Sequence, residues 1–249
     1  MNIRSLSIVI PCYNEATRIP VLLKELEEFI ATWPTPCEVI YVNDGSKDST
    51  VEVITSSSLF HTQSAKGLMK VVDNKVNMGK GYALRSGVLQ AQFSRILTMD
   101  ADVATHPDQL NSWSASINGN FDEHTVYVAS RKHQQSHITD KNIRKLSGYV
   151  FNRLVKMISP LKLDDTQCGF KLYPEAIAKK VFTDLKTFGW AHDVELLCRC
   201  KEEGYTIVEL PVEWTAIEGS KISVVRDSIK MFLELIRIKG IVKRDYRKK

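Results

Sequence analysis

Residues 95–102, RILTMDAD, decide how this chain folds and where it binds a ligand. The apolar run up to Met99 predicts a short buried strand, and two carboxylates, Asp100 and Asp102, follow it directly. Like charges this close destabilise each other unless a counter-charge lies near them. Carboxylate oxygens suit hard divalent cations, so the pair predicts an Mg²⁺ or Mn²⁺ site that bridges to substrate phosphates.

Strand and helix patterns alternate on both sides of this stretch. The predicted strands cover residues 6–10, 39–42, 68–72, 95–99 and 126–129, and the predicted helices cover residues 19–30, 46–58, 80–92 and 108–117. The less regular second half predicts helices near 143–158 and 191–203, a strand near 206–214 and a last helix from about residue 224. This alternation is typical of an α/β fold with a mainly parallel central sheet flanked by helices. Ligands bind such sheets at the carboxyl ends of the strands.

Polar motifs also follow the first, second and third predicted strands. Residues 11–15, PCYNE, follow the first strand, and residues 43–46, NDGS, follow the second. Neither motif is the G-x-G-x-x-G fingerprint of a dinucleotide-binding protein. Residues 77–81, NMGKG, miss two positions of a phosphate-binding P-loop. They still predict a glycine-permitted turn into a helix N-terminus, with Lys80 facing an anion.

Composition and cysteine content narrow the class of protein. Of 249 residues, 43% are hydrophobic and 25% are charged, which is average for a globular protein. No apolar run approaches the ~20 residues of a membrane span, and we expect no signal peptide. The five cysteines form no C-x-x-C pair. We therefore expect reduced, mostly buried thiols and a cytoplasmic location.

Charge is concentrated at the C-terminus. Residues 237–249 carry a net charge of +6, whereas the whole chain carries +5. A basic tail fits nucleic acid or an anionic membrane surface, and composition does not choose between them. No zinc site or recognition motif supports binding to nucleic acid. We divide the chain into a catalytic domain, residues 1–220, and a basic C-terminal helix and tail, residues 221–249.

The C-terminal helix is predicted to be amphipathic. Apolar residues recur at helical spacing along one face, and two more continue the stripe towards the tail. They are Val225, Ile229, Phe232, Leu233 and Ile236, followed by Ile241 and Val242. Together with the basic residues around it, this face predicts peripheral contact with an anionic membrane. Packing of the same face on the protein body is the alternative.

Eight segments taken together resemble the family 2 glycosyltransferases with the GT-A fold. They are VIPCYNEATRI (9–19), YVNDGSKDST (41–50), NKVNMGKGYALRSG (74–87), TMDADVAT (98–105), ASR (129–131), DDTQCGFKLY (164–173), WAHDVELL (190–197) and VEWTAIEGSKIS (212–223). The last three are more typical of the branch that charges polyprenyl phosphates, which includes the dolichyl-phosphate β-glucosyltransferases. Eukaryotic members begin with a membrane-spanning helix, which this sequence does not show. Together with the thiols and the basic C-terminal helix, this leads us to expect an enzyme in the cytoplasm, peripherally associated with the cytosolic face of a membrane.

The resemblance implies roles for individual residues. The donor nucleotide sugar would be bound by Pro11, Tyr13, Glu15, Val42, Asp44, Asn77, Lys80, Asp100, Ala101 and Asp102. Asp100 and Asp102 would hold the metal, and Ala104 stands where mannosyl relatives carry a glutamine. Catalysis would rest on Asp102 with Arg131 and Lys221, which approach the phosphates. The acceptor phosphate would be bound by Arg131, Arg144 and Ser147.

These roles predict an inverting, metal-assisted transfer of a hexose to a polyprenyl phosphate, either dolichyl or undecaprenyl phosphate. The predicted donor is UDP-glucose. A cation and basic side chains stabilise the negative charge that develops on the departing diphosphate. A phosphate acceptor is already ionised near neutral pH and needs no strong base. For a hydroxyl acceptor Asp193 and Glu195 are the candidate bases, and a helix-capping or salt-bridging role is the alternative.

Other functions stay open at this point. A family 2 enzyme with another donor, GDP-mannose or UDP-GlcNAc, or with a hydroxyl acceptor would carry the same motifs. A glycosidase also uses two carboxylates, but it does not need the basic residues or the nucleotide motifs. A catalytically silent sugar-nucleotide-binding protein is the non-enzymatic alternative, and the intact acidic pair argues against it.

Overall fold

The computed structural model describes residues 2–139, 155–156, 159, 161–217 and 224–247, with only the backbone course of 224–232 and 247. Within these ranges the strands are β1 Leu6–Cys12, β2 Cys37–Asp44, β3 Met69–Asn74, β4 Arg95–Thr98, β5 Thr125–Ala129, β6 His137–Thr139, β7 Lys171–Pro174, β8 Thr206–Leu210 and β9 Glu213–Thr215. The helices are α1 Ile19–Thr32, α2 Thr50–Thr55, α3 Ser58–Ser64, α4 Lys80–Gln90, α5 Gln109–Ser116, α6 Glu175–Thr183, α7 His192–Glu202 and α8 Val224–Arg247.

Seven strands form one sheet in the order β3-β2-β1-β4-β7-β5-β8. Every neighbouring pair is parallel except those of β7, which runs antiparallel to both β4 and β5. Strands β6 and β9 form a separate parallel pair. The predicted α/β fold with a mainly parallel central sheet is therefore confirmed.

Helices cover both faces of the large sheet and divide the core into two apolar layers. On one face α1 buries Leu22, Leu26 and Phe29 at helical spacing, and α5 adds Trp113. Helices α4, α6, α7 and α8 pack on the other face. All eight residues of β2 are buried, as expected for a strand covered on both sides. All five cysteine side chains are also buried, as predicted.

Two predicted elements are wrong in extent. The single helix predicted over 46–58 is replaced by α2 and α3, because Ser57 starts a new helix by accepting a hydrogen bond from Phe60 N at 3.2 Å. The strand predicted over 206–214 is interrupted at Pro211, which has no N–H to continue a ladder. Its two halves, β8 and β9, belong to different sheets. Strands β6 and β7 and helix α6 were not predicted.

The described second half of α8 packs on the body of the protein. Leu235 and Ile238 are buried in the same core layer as α7. Asp245 Oδ2 anchors the end of the helix, because it accepts hydrogen bonds from Arg199 Nη2 at 3.0 Å and from Lys186 Nζ at 2.6 Å.

This packing contradicts part of the prediction that the apolar face of α8 contacts a membrane. Ile241 and Val242 are buried, so the prediction that they extend an exposed apolar face is wrong. Leu233 and Ile236, from the same prediction, are exposed. The side chains of Val225, Ile229 and Phe232 lie outside the described residues. The domain division at residue 220 stays a prediction. Within the described part of the chain, we find no helix that combines the length and the apolar character needed to cross a membrane.

Candidate active site

The strand order brings the predicted donor-binding residues to one edge of the sheet. Strands β3, β2, β1 and β4 are successive neighbours and run parallel, so their carboxyl ends lie side by side. The predicted residues stand at these strand ends or on the loops that follow them: Pro11, Tyr13, Glu15, Val42, Asp44, Asn77, Lys80, Asp100, Ala101 and Asp102. Their individual roles stay predictions, but their convergence on one edge is a structural fact.

Hydrogen bonds join the loops that follow β1 and β2. Asn14 N donates to Ser46 Oγ at 2.9 Å, and Lys47 N donates to Asn14 Oδ1 at 2.7 Å. Asn14 has a φ of +54°, a left-handed conformation that asparagine tolerates better than most residues. The two loops thus form one unit, from which the exposed ring of Tyr13 extends.

Asp44 holds the loop that leads into α4. Its two carboxylate oxygens accept hydrogen bonds from Met78 N at 3.0 Å and Gly79 N at 2.9 Å. Gly79 has a φ of +99°, and a Cβ there would lie 2.6 Å from Phe188 O. The position therefore requires glycine, which lets Lys80 begin α4 beside the acidic pair. The side chain of Val42, also predicted to line the donor site, is fully buried in the sheet.

Lys80 is the counter-charge that the acidic pair requires. Its Nζ lies 2.5 Å from Asp100 Oδ1. Burial lowers the pKa of Lys80, but the charges of Asp100, Asp193 and Asp102 outweigh it, and the pKa lies above its usual value. Burial, and then the charge of Asp100, raises the pKa of Asp102. Asp100 and Asp102 thus lie close together although their charges repel each other. Such an arrangement is typical of a site that binds a cation.

The turn after Asp102 is strained. Val103 has a φ of +56°, which is rare for a β-branched residue and costs of order 1–3 kcal/mol. The turn places Ala104 N 3.1 Å from Asp102 Oδ1, to which it donates. The strain therefore serves to orient a carboxylate of the predicted metal site.

The donor set fits a divalent cation that keeps part of its shell for water and substrate. Asp100 and Asp102 supply carboxylate oxygens, and both side chains are partly exposed. Among the described residues, no group of three or more ligating side chains stands together. Mg²⁺ is often held in this way, by one or two carboxylates with substrate phosphates and waters.

Gly169 supports the carboxylate of Asp100. A Cβ at position 169 would lie 2.4 Å from Asp100 Oδ2 and 2.7 Å from Oδ1. The antiparallel strand β7 explains this contact, because it pairs Lys171 with Thr98 and so brings residues 164–170 beside the end of β4.

Gly169→Ala should displace Asp100 and lower kcat/KM about 10²-fold, since a shift of about 1 Å in a reacting site has that effect. The melting temperature should change little, because the displaced carboxylate is partly exposed. The matched control is Gly240→Ala on α8, where a Cβ meets nothing within 4 Å. Full activity in Gly169→Ala would contradict the supporting role of the glycine.

The guanidinium group of Arg131 is paired with Asp165, an acidic residue that the sequence analysis did not predict. Asp165 accepts from Arg131 Nε at 2.6 Å and Nη2 at 2.9 Å, and also from the backbone N of Arg131 at 3.1 Å. Burial raises the pKa of Asp165, but Arg131 outweighs it and holds the pKa below its usual value. Glu209 orients Asp165 by accepting from its backbone N at 2.8 Å. The ring of Trp214 lies 5.5 Å from the Arg131 guanidinium, within the range of a cation–π contact.

Asp193, the predicted base for a hydroxyl acceptor, is buried. Its Oδ1 lies 2.7 Å from Lys171 Nζ and 3.5 Å from His192 Nε2. Burial raises its pKa, but the charges of His192, Lys171 and Lys80 lower it below its usual value. Asp193 is therefore ionised and salt-bridged in this structure, and its role as a base stays a prediction.

Three predicted residues lie outside the described residues: Arg144 and Ser147 of the predicted acceptor site, and Lys221. Asp165, Gly169 and Lys171 were not predicted as functional residues. Their segment, DDTQCGFKLY, contributes to the family resemblance, but no functional role was predicted for its residues. Only the insertion of β7 between β4 and β5 brings it to the site.

Residues 7–182 match the family model described as Glycosyl transferase family 2. The chain belongs to this family and is a glycosyltransferase. It is 34% identical to the dolichyl-phosphate beta-glucosyltransferase of Drosophila melanogaster, over 94% of this chain and 74% of that protein. It is 31% identical to the enzyme of the same name from Saccharomyces cerevisiae, over 94% and 74%.

Solved structures share the fold. Glucosyl-3-phosphoglycerate synthase from Mycobacterium tuberculosis in complex with UDP has a TM-score of 0.66 at 16% identity, covering 95% of this chain and 80% of that chain. Mannosyl-3-phosphoglycerate synthase from Rubrobacter xylanophilus also has a TM-score of 0.66, at 17% identity, covering 98% and 75%. Another structure of the mycobacterial enzyme contains Mn²⁺, UDP and glucosyl-3-phosphoglycerate. These neighbours confirm the GT-A fold.

Proposed function

We propose that this glycosyltransferase moves glucose from UDP-glucose to a polyprenyl phosphate, with inversion at the anomeric carbon. The observation that carries the proposal is the meeting of acidic and basic groups at the edge of the sheet. Lys80 Nζ lies 2.5 Å from Asp100 Oδ1, and the charge of Asp100 also contributes to the raised pKa of Arg131, so basic groups lie near the acidic pair. The names of the relatives favour glucose as the sugar and dolichyl phosphate as the acceptor.

The proposed glucosyl transfer depends on how the two substrates are positioned, and it requires no proton transfer to a base. An oxygen of the acceptor phosphate attacks the anomeric carbon, and the bond from that carbon to the β-phosphate oxygen breaks on the opposite face. The bonding electrons leave with UDP. Because the acceptor is already ionised, no base has to remove a proton. Lys80 meets the leaving diphosphate, and Arg131, held by Asp165, meets the acceptor phosphate.

A divalent cation, Mg²⁺ or Mn²⁺, would supply neutralising charge to the diphosphate when bound. Asp100 and Asp102 would hold it, and Ala104 adds no further side-chain ligand. Mn²⁺ in the mycobacterial neighbour supports this part of the proposal. The same neighbour contains UDP, which supports a uridine nucleotide as the donor.

The decisive experiment offers the full chain three donors, UDP-glucose, GDP-mannose and UDP-GlcNAc, with Mn²⁺ and either dolichyl phosphate or undecaprenyl phosphate. We expect a glucosylated lipid phosphate from UDP-glucose, identified by mass spectrometry. The unphosphorylated polyprenol is the control acceptor. Equal transfer to the polyprenol would contradict the phosphate acceptor, and absence of any product would contradict the activity.

We also propose that the enzyme reaches its lipid acceptor through the outer face of α8. Leu233 is 60% and Ile236 52% exposed, and the next turns of the helix present basic residues. The exposed basic residues are Arg237, Lys239, Lys243 and Arg244. Two exposed apolar residues followed by exposed basic residues are suited to the surface of an anionic membrane.

Reversing the charge of Lys239, Lys243 and Arg244 to Glu should weaken binding to anionic liposomes at least tenfold, at about 1 kcal/mol for each basic residue near the surface. Sedimentation at low salt measures this binding. The triple variant leaves Asp245 in place, so α8 keeps its anchor on the body. The control reverses Lys24, Lys66 and Lys75, which are exposed elsewhere. Equal loss of binding in both triple variants would contradict a docking face on α8.

A further inference from the structure

Lys80 occupies the same carboxylate that the predicted cation needs. Its Nζ lies 2.5 Å from Asp100 Oδ1. A divalent cation bound to that oxygen would lie about 2.1 Å from it. The two positive charges would then be no more than about 4.6 Å apart, where they repel each other strongly in a partly buried site.

Asp100 is closely packed on the side that faces Gly169. A Cβ at position 169 would lie 2.4 Å from Asp100 Oδ2, so residue 169 limits the space for the carboxyl group on that side. Lys80 starts α4, so its backbone is fixed, but its long side chain can turn from Asp100 to another anion. Binding of a divalent cation to Asp100 is therefore opposed as long as Lys80 stays paired with it.

We propose that Lys80 is an internal counter-cation that keeps Asp100 occupied until the donor diphosphate draws it away and leaves the carboxylate to the metal. This inference rests on the proposed function for the identity of the diphosphate. It makes binding of metal and binding of donor mutually dependent, since each removes an obstacle to the other.

The neighbouring acidic residue does not offer Lys80 an equal alternative. Asp193 is already paired with Lys171 at 2.7 Å, and both side chains are buried. A diphosphate in the open edge of the sheet carries more negative charge and has no lysine partner before it binds. The electrostatic attraction of Lys80 to the donor diphosphate is therefore stronger than its attraction to Asp193.

The first test uses Mn²⁺ alone, with free Mn²⁺ measured by electron paramagnetic resonance during titration. Lys80→Met should bind Mn²⁺ at least tenfold more tightly than the wild type, although it loses activity. Lys75→Met is the matched control, because it removes the same charge from the same loop while Lys75 pairs with Asp73. Lys80→Arg keeps the charge and should bind Mn²⁺ as weakly as the wild type.

The second test measures how far UDP tightens Mn²⁺ binding. The factor by which UDP raises the affinity for Mn²⁺ should be at least ten times larger in the wild type than in Lys80→Met. The reason is that only the wild type has a lysine side chain at position 80 that UDP can draw away from Asp100. Circular dichroism confirms that each variant is folded.

Three results would overturn the inference: unchanged, weaker or undetectable Mn²⁺ binding by Lys80→Met; equal tightening by Lys75→Met; or equal effects of UDP in both proteins. The Mn²⁺ titration needs no transfer activity. Failure of the proposed function would show in the donor screen, whereas failure of this inference would show in the titration.

Discussion

Asp102→Asn should reduce kcat/KM about 10³-fold while the protein stays folded, because the substitution removes one of the two carboxylates that we propose as metal ligands beside the developing charge. Asparagine keeps an oxygen that can accept from Ala104 N, so the strained turn at Val103 retains its hydrogen bond. It also removes the repulsion between residues 102 and 100, which contributes to the raised pKa of Asp102. The melting temperature should therefore stay level or rise.

The control is Asp108→Asn, which makes the same change on an exposed side chain just before α5. Activity is measured with UDP-glucose and a polyprenyl phosphate, and stability by thermal unfolding. Near-wild-type turnover in Asp102→Asn at millimolar Mn²⁺ would contradict the metal-binding role. A large fall in melting temperature would mean that Asp102 serves the fold instead.

Arg131→Met should lose activity and also destabilise the protein by about 3 kcal/mol, the lower end of the range for breaking a buried ion pair. Asp165 is only 6% exposed, and its charge would be left without its partner. We take the lower end because a third of the Arg131 side chain is exposed. The free energy of unfolding, measured with denaturant, checks this value.

A double variant separates the two roles of Arg131. Arg131→Met with Asp165→Asn removes both charges and should regain most of the lost stability, but no activity, if Arg131 meets the acceptor phosphate. Return of activity in the double variant would show that Arg131 acts only on the fold. Lys156→Met is the control, since its pair with Asp164 is exposed and should be worth less than about 1 kcal/mol.

Acidification should remove the stability that the Arg131–Asp165 pair contributes. The folded state holds the pKa of Asp165 below its unfolded value, so the pair stabilises the protein above the unfolded pKa. That contribution is lost as the pH falls through the lower, folded pKa. The double variant lacks the pair and should lose less stability over the same range.

Much of the donor half of the site could be predicted from the sequence. The strands that carry it are continuous apolar runs, and each ends in polar residues that cannot join the core. The parallel arrangement of β3, β2, β1 and β4 then brings those ends together without further information. Asp44, Lys80, Asp100 and Asp102 were accordingly predicted at one edge, where the structure has them.

The acceptor half could not be predicted in the same way. Strand β7 is short and carries a buried lysine, Lys171, which is paired with Asp193 in another element. Nothing in the local pattern indicates that it enters the sheet between β4 and β5 or that it runs antiparallel. The contacts of Asp165 with Arg131 and of Gly169 with Asp100 depend on that insertion.

The sequence by itself determined the fold class, the acidic pair and the position of Lys80 at the start of a helix, because strand periodicity and strand-end chemistry are properties of neighbouring residues. Tertiary structure alone decided which partner each charge has and which apolar face of α8 is covered. Ile241 and Val242 are as apolar as Leu233 and Ile236, yet the first two are buried and the last two exposed. The difference lies in where the body of the protein meets the helix, which depends on residues far away in the chain.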